Sequence, residues 1–207
     1  MCLLLSTARG VTKRRFLRSE SLEQWDRKKY VSIQGSFVTK TVGTSEFAVT
    51  EADLVALEEQ LGRVPRGVVG IAARCVCGRP LVVQTAPRLE DGTPFPTTFY
   101  LTHPAAVSNA STLEANGVMK EMSERLLVDE ELAAKYRLAH EHYLASREAL
   151  GHVEEIAGIS AGGMPTRVKC LHVLIGHALA AGPGVQPLGD EALEMIKDLW
   201  SPDICAC

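Results

Sequence analysis

Two short apolar runs on either side of a Cys-Val-Cys-Gly segment constrain the fold of this chain more than any other feature. The runs, residues 67–74 (GVVGIAAR) and 80–85 (PLVVQT), are rich in β-branched residues and have the length of strands. The segment 75–78 between them is long enough only for a turn. The pattern predicts a β-hairpin or one sharply bent strand, and residues 97–102 (TTFYLT) supply a third strand after a proline-bounded loop.

Helix signals lie on both sides of this small sheet. Thr50 and Asp53 resemble a capping box, and the helix that they begin should end at Gly62. Gly117 should divide two helices that follow Pro104. The sequence thus predicts an α+β fold in which about three strands are covered by several α-helices.

Three further helices are expected in the second half of the chain. Asp129 is placed to cap a long helix, and a helix should run from Thr166 to about Ala181. Asp190 should cap a last short helix that reaches Trp200. The long helix carries apolar residues at helical spacing, which predicts a buried stripe of Leu132, Tyr136, Ala139, Tyr143 and Leu150.

Length and charge suggest one domain with two short appendages. At 207 residues, with 46% hydrophobic and 23% charged residues, the chain has the composition of a globular protein. Basic residues exceed acidic ones in residues 1–49, although the net charge of the whole chain is −3. We expect a basic, poorly ordered extension (1–49), a single α+β domain (50–200) and a C-terminal Cys-x-Cys tail (201–207). A nucleic-acid contact is less expected for the extension than plain solvation.

The sequence predicts a cytoplasmic location. No apolar run has the length of a membrane span, and the basic residues 13–15 follow the leucines at 3–5, which is the wrong order for a signal peptide. In a cytosolic chain, six cysteines indicate metal binding, thiol chemistry or plain burial rather than disulfides.

A metal site is the first of two candidate sites. Cys75 and Cys77 alternate along one strand, so both thiols can point to the same side. His103 ends another predicted strand and Cys170 lies in the first turns of a predicted helix. Sulfur and imidazole donors are those that tetrahedral zinc accepts, so these four residues are our candidate zinc ligands. Burial of Cys75 and Cys170 as small hydrophobic residues explains the same pattern.

Other cysteines and histidines offer alternatives. On a regular helix Cys170 and His172 are about 200° apart, so they should not share an ion unless the helix starts late. The tail residues Cys205 and Cys207 can instead complete a four-thiolate site with Cys75 and Cys77.

An anion-binding loop is the second candidate site. Glycine-rich residues 158–165 (GISAGGMP) lead into a predicted helix, where backbone amides and the helix dipole favour a phosphate or carboxylate. The loop lacks the Walker pattern, so nucleotide hydrolysis is not implied. A simple turn with solvated charges is the alternative. The candidate ligand-binding residues are Ser160, Gly162, Gly163, Arg167 and Lys169, together with Arg74, Arg79 and Arg88.

Four phrases of the sequence resemble one bacterial family. They are RCVCGRP, APRLEDGTPFPTTFYLTHP, ISAGGMPTRVKCLHVLIGHALAAGPGV and PLGDEAL, and between about residues 50 and 193 they are similar to the domain-of-unknown-function 501 family. The resemblance implies an actinobacterial protein encoded near an exopolyphosphatase-like protein and a septum-formation initiator. It implies no activity. It also implies that Cys can replace His103, as a metal ligand tolerates, and that Cys77 is not required in every member.

These observations support three functional hypotheses. The first is a protein that binds an anionic small molecule or phosphorylated metabolite at the glycine-rich loop, with a structural zinc. The second is a non-catalytic interaction module with a protein partner in cell-envelope or division processes. The third is a cysteine-dependent enzyme in which Cys170 acts with His103 or His172.

Overall fold

The structure is a computed structural model, and it describes residues 48–205 and Cys207. The predicted basic extension (1–49) lies outside the described residues except for its last two positions. In the described part, α1 (Glu51–Leu61) precedes β1 (Val68–Arg74), β2 (Pro80–Thr85) and β3 (Phe99–Leu101). The chain continues through α2 (Pro104–Ala115), α3 (Val118–Arg125), α4 (Glu130–Glu148), a 3₁₀ turn (Glu154–Ile156), α5 (Leu171–Ala181) and α6 (Pro187–Ile196). The predicted α+β fold class is confirmed.

The three strands form one antiparallel sheet in the order β1-β2-β3. Val68 of β1 pairs with Thr85 of β2, and Val83 of β2 pairs with Tyr100 of β3. Residues 75–79 form the turn of the β1–β2 hairpin, as the apolar runs predicted. The hairpin turn carries the candidate ligands Cys75 and Cys77, and His103 follows the C-terminal end of β3.

Helix α1 covers one face of the sheet. Its start is fixed by the predicted capping box, since the Thr50 hydroxyl accepts from the Asp53 amide at 3.1 Å and the Asp53 carboxylate accepts from the Thr50 amide at 2.9 Å. The helix ends at Gly62 with φ of 65°. Leu57 is fully buried against Ile71 and Val83 of the sheet. This contact forms a small core separate from the main one.

The main core lies on the other face of the sheet. Phe99 and Leu101 of β3 pack there against α5, whose Leu174 and Ile175 are fully buried. Gly176 lets α5 approach β3, because a Cβ at that position would lie 3.0 Å from the Phe99 carbonyl oxygen. Helices α2, α4 and α6 complete the core around α5.

The predicted stripe of α4 is buried at its centre. Asp129 caps the helix by accepting from the Leu132 amide at 2.9 Å, and Tyr136, Ala139 and Tyr143 are fully buried. Leu132 and Leu150 are only partly buried. The next position of the stripe is taken by Arg147, which is buried and donates to the carbonyls of residues 96, 156 and 159. The stripe therefore ends in a buried cation that joins two segments, the loop before β3 and residues 156–159.

Two predicted helix starts were wrong. Helix α5 begins at Leu171 rather than Thr166, because the amides of Val168 and Leu171 donate to side chains of other helices rather than to carbonyls of the preceding turn. Helix α6 begins at Pro187, so Asp190 lies inside its first turn and accepts from the Gly184 amide at 2.7 Å. Among the described residues, no helix is both long and apolar enough to cross a membrane.

Candidate metal centre

The hairpin turn presents the first two cysteines. The Cys75 amide donates to the Arg79 carbonyl at 2.8 Å, and the Gly78 amide donates to the Cys75 carbonyl at 2.7 Å. Gly78 adopts φ of 92°, a value that side-chain-bearing residues rarely take. The turn therefore folds back on itself, with Cys75 buried and Cys77 exposed.

The C-terminal tail brings two further cysteines to this turn. Trp200, which is 2% exposed, anchors the chain after α6. Beyond it, Cys205 and Cys207 meet the hairpin, and the Sγ atoms of Cys75, Cys77, Cys205 and Cys207 all lie within 4.8 Å of one another. The Sγ atoms of Cys77 and Cys207 are 3.4 Å apart, and all four thiols are free.

His103 borders this four-cysteine cluster. It is fully buried at the junction of β3 and α2, and its ring packs on Trp200 with centroids 5.2 Å apart. Its Nε2 lies 3.2 Å from the Cys207 Sγ, while its Nδ1 has no partner among the described residues. Burial and the charge of Arg79 lower the pKa of His103, which favours the neutral ring. A neutral ring with the hydrogen on Nε2 donates to the Cys207 sulfur and leaves an unpaired acceptor rather than an unpaired donor.

Three thiols of the cluster, those of Cys75, Cys77 and Cys207, differ in acidity. A hydrogen bond from the Arg79 backbone amide, followed by one from Cys207, lowers the pKa of Cys77 to about 7. Burial raises the pKa of Cys75 and that of Cys207. Of these three thiols Cys77 therefore ionises most readily, and a cation in the cluster would be needed to hold Cys75 and Cys207 as thiolates.

The donor set of the four-cysteine cluster fits a tetrahedral metal ion. With Zn–S bonds of about 2.3 Å, the sulfurs of such a site lie about 3.8 Å apart. The 3.4 Å between the Cys77 and Cys207 sulfurs, and the position of all four sulfurs within 4.8 Å of one another, are compatible with that value. Four thiolates are a set that zinc and iron accept and that magnesium and calcium do not.

Cys170 lies in a second cluster, apart from the predicted one. Its Sγ is 3.8 Å from His172 Nδ1, and Glu114 Oε1 is 3.0 Å from the same nitrogen. The three donor atoms lie within 4.8 Å of one another. Hydrogen bonds to Cys170 and then to Glu114 raise the pKa of His172 to about 9. The structure thus divides the predicted ligand set: it joins Cys75 and Cys77 to the tail, with His103 beside them, and places Cys170 elsewhere.

The late start of α5 explains why Cys170 and His172 meet. Cys170 precedes the helix in an extended conformation with φ of −157°. The 200° separation expected on a regular helix therefore does not apply to this pair. Glu114 was not predicted as a site residue, because only the packing of α2 against α5 brings it there.

The glycine-rich loop is closed in part by its own backbone hydrogen bonds. Gly162 and Gly163 adopt φ of 69° and 93°, but their carbonyls accept from the amides of Lys169 and Arg167 at 2.7 and 3.2 Å. The amide of Leu171, at the start of α5, donates to Glu114 Oε1 at 2.6 Å. The amides of Arg167, Lys169 and Leu171 are thus already paired within the protein.

The predicted arginines are also engaged elsewhere. Arg74 pairs with the buried Asp53 at 2.6 Å, Arg79 pairs with Glu59, and Arg88 pairs with Glu155 at 2.6 Å. Arg167 and Lys169 are exposed and form no ion pair with the residues that the structure describes. These three arginines therefore pair with carboxylates of the protein itself, whereas the prediction had them bind an anionic ligand.

Two further pairs of polar side chains were not predicted from the sequence. Ser160 has a base beside it, since His140 Nδ1 lies 2.9 Å from its hydroxyl. His142 Nδ1 lies 2.9 Å from Nε2 of the fully buried His177, whose ring stacks on Phe99 with centroids 5.4 Å apart. His140 and His142 are two residues apart on α4 and contact different partners, which nothing in the sequence identifies.

Comparison with known proteins identifies a family without assigning a function. The model of the family described as Protein of unknown function (DUF501) matches residues 71–194, more than half of the chain. No match was found among curated proteins or among solved structures. The matched range contains all of Glu114, Cys170 and His172, but only Cys75 and Cys77 of the four-cysteine cluster. The chain belongs to the DUF501 family of proteins of unknown function, as the four sequence phrases indicated.

Proposed function

We propose that this protein binds one zinc ion through Cys75, Cys77, Cys205 and Cys207, and that the ion fastens the C-terminal tail to the β1–β2 hairpin. The observation that carries the proposal is the convergence of four free thiols from two distant parts of the chain within 4.8 Å. Three of the four are exposed, so burial of apolar surface does not account for their meeting.

A structural role follows from the completeness of the donor set. Four protein ligands leave no coordination position for a substrate, which is the arrangement of structural rather than catalytic zinc. His103 supports the site from behind, because a hydrogen bond from its Nε2 to the Cys207 sulfur stabilises the thiolate. Four reduced thiols also fit the cytoplasmic location predicted from the sequence, where thiols are kept reduced.

The zinc site is better supported than the anionic ligand predicted from the glycine-rich loop. Of the predicted basic residues, Arg167 and Lys169 are the two without an ion pair in the described part of the chain, and exposed cations hold an anion weakly. A zinc ion that only fastens the tail needs no catalysis, so it agrees with an interaction module in which the fixed tail and hairpin form one surface.

Metal analysis of protein purified without a histidine tag tests the proposal. The Cys205→Ser, Cys207→Ser double variant should lose one zinc equivalent relative to wild type, while the matched tail variant Asp203→Ser should retain it. Both sets of positions are exposed, so neither change disturbs the core. Equal zinc content in the double variant and in wild type would contradict the proposal, as would iron in place of zinc.

Proteolysis tests whether the ion fastens the tail. Carboxypeptidase should release residues 201–207 slowly from the zinc-loaded protein and rapidly after chelation, because the tail then loses its attachment to the hairpin. In the double variant the rate should be fast with or without chelator. Protection that persists in the double variant would show that Trp200 and the neighbouring chain hold the tail without metal.

A further inference from the structure

A second group of three donor atoms faces one point between α2 and α5. Glu114 lies in the last turn of α2, Cys170 immediately precedes α5, and His172 lies in the first turn of α5. Nδ1 of His172 lies 3.0 Å from Glu114 Oε1 and 3.8 Å from the Cys170 Sγ. A tetrahedral zinc ion with these ligands separates nitrogen from oxygen by about 3.4 Å and nitrogen from sulfur by about 3.6 Å.

The hydrogen bonds around His172 set its tautomer. The Ser111 hydroxyl donates to the Val107 carbonyl at 3.0 Å, so its oxygen is free to accept from Nε2 of His172 at 3.2 Å. When a metal ion displaces the hydrogen of Nδ1, the ring keeps its hydrogen on Nε2, and the lone pair of Nδ1 points towards the carboxylate and the sulfur. A metal-binding histidine is commonly held in this way, with its second nitrogen donating to a neighbouring oxygen.

Three acceptors that face one another require a shared cation. The Nδ1 lone pair, a carboxylate oxygen and a thiolate repel each other at these distances unless a proton or a metal ion lies between them. Glu114 is also held in place independently of any ion, because its Oε1 accepts from the Leu171 amide at 2.6 Å. The donors are therefore arranged before an ion binds.

We propose that Glu114, Cys170 and His172 bind a second zinc ion, and that this site is the reactive one. The side chains of His172 and Glu114 are 25% and 23% exposed, so the site is reached from solvent. Three protein ligands leave the fourth position to an exchangeable water, which is the arrangement of catalytic zinc. The ligand class expected there is a small molecule that replaces the water through an oxygen, such as a carboxylate or a carbonyl compound.

This site does not depend on the four-cysteine site proposed above, and the experiment separates the two. In the Cys77→Ser, Cys205→Ser, Cys207→Ser background only exposed thiols are changed, and a single cysteine of the first cluster remains. Titration of this metal-free background with cobalt, a spectroscopic substitute for zinc, should give one equivalent with a thiolate-to-cobalt absorption band. Adding Cys170→Ser should abolish the band.

Glu114→Gln gives a test that preserves the fold. Its amide oxygen can still accept from the Leu171 amide, but the charge is lost, so cobalt affinity should fall at least tenfold. The matched control Glu124→Gln, an exposed carboxylate on α3, should bind cobalt like the background. The proposal is overturned if the folded background binds no cobalt, since a proton then bridges the three acceptors, or if the band survives Cys170→Ser.

Discussion

The buried ring of Tyr136 links the core to the segment that carries the second metal cluster. The side chain is fully buried on α4, and its hydroxyl donates to the Arg167 carbonyl at 3.2 Å. Truncating an aromatic core residue to alanine costs about 3–5 kcal/mol, and loss of the hydrogen bond adds about 1 kcal/mol. Tyr136→Ala should therefore lower the free energy of unfolding by about 4–6 kcal/mol.

Two companion variants divide this cost into its parts. Tyr136→Phe removes only the hydroxyl and should cost about 1 kcal/mol, mainly because the Arg167 carbonyl loses its partner. Leu138→Ala lies on the same helix but is 63% exposed, so it should change stability by less than about 0.5 kcal/mol.

Urea unfolding of the metal-loaded proteins, followed by circular dichroism, provides the measurement. A shift of the midpoint at constant slope gives the change in free energy. If Tyr136→Ala and Leu138→Ala had equal effects, α4 would not be buried on the predicted face, and the assignment of the core would be wrong.

Three further predictions concern the loop, a buried histidine and a buried ion pair. Gly163→Ala should destabilise the protein by about 2–4 kcal/mol in urea unfolding, because the new Cβ would lie 2.6 Å from the Arg167 carbonyl oxygen. Gly117 has a similar φ, but a Cβ there would have no heavy atom within 4 Å, so Gly117→Ala should cost only about 1 kcal/mol. Burial, followed by the charge of a neighbouring histidine, lowers the pKa of His177 to about 3. In the unfolded chain the histidine has its ordinary pKa of 6.5, so between pH 7 and 5 the unfolded state takes up a proton that the folded state does not. The free energy of unfolding of the metal-free protein should therefore fall by about 2 kcal/mol over this range. The His177→Leu variant should not show this fall. Arg74→Met should lower the free energy of unfolding by about 1–3 kcal/mol, because the buried Asp53 carboxylate loses its strongest partner. The pKa of Asp53, measured by NMR titration, should rise from about 2 for the same reason, and an unchanged pKa would refute this.

Much of the fold was predictable because its signals are local. The Thr50 capping box, the glycine at 117 and the cap at Asp129 each act within a few residues, and each lies where the structure has a helix boundary. The start of α5 was not predictable in the same way. It depends on Ser123 and Glu114, which belong to other helices and accept from amides that a continuous helix would have used.

The candidate site was predictable only in part, for a similar reason. Alternation along a strand brought Cys75 and Cys77 together in the prediction, and the tail cysteines remained an open alternative that the structure favours. Cys170 lies in a different cluster from His103 because of the way α2 packs against α5, and the spacing of residues along the sequence does not predict that packing. Its charge likewise made Arg74 a candidate ligand-binding residue, but the sequence did not predict its ion pair with the Asp53 carboxylate.

The coordination shell of zinc in the Cys170→Ser variant distinguishes a four-cysteine site from every other arrangement of ligands. This variant removes a ligand of the second cluster, so X-ray absorption at the zinc edge should report the four-cysteine cluster alone. We expect one zinc per chain, with four sulfur neighbours at about 2.3 Å and no nitrogen among the directly bound atoms. A shell that contains nitrogen would show that His103 has replaced a cysteine, and a variant that holds no zinc would contradict the site altogether.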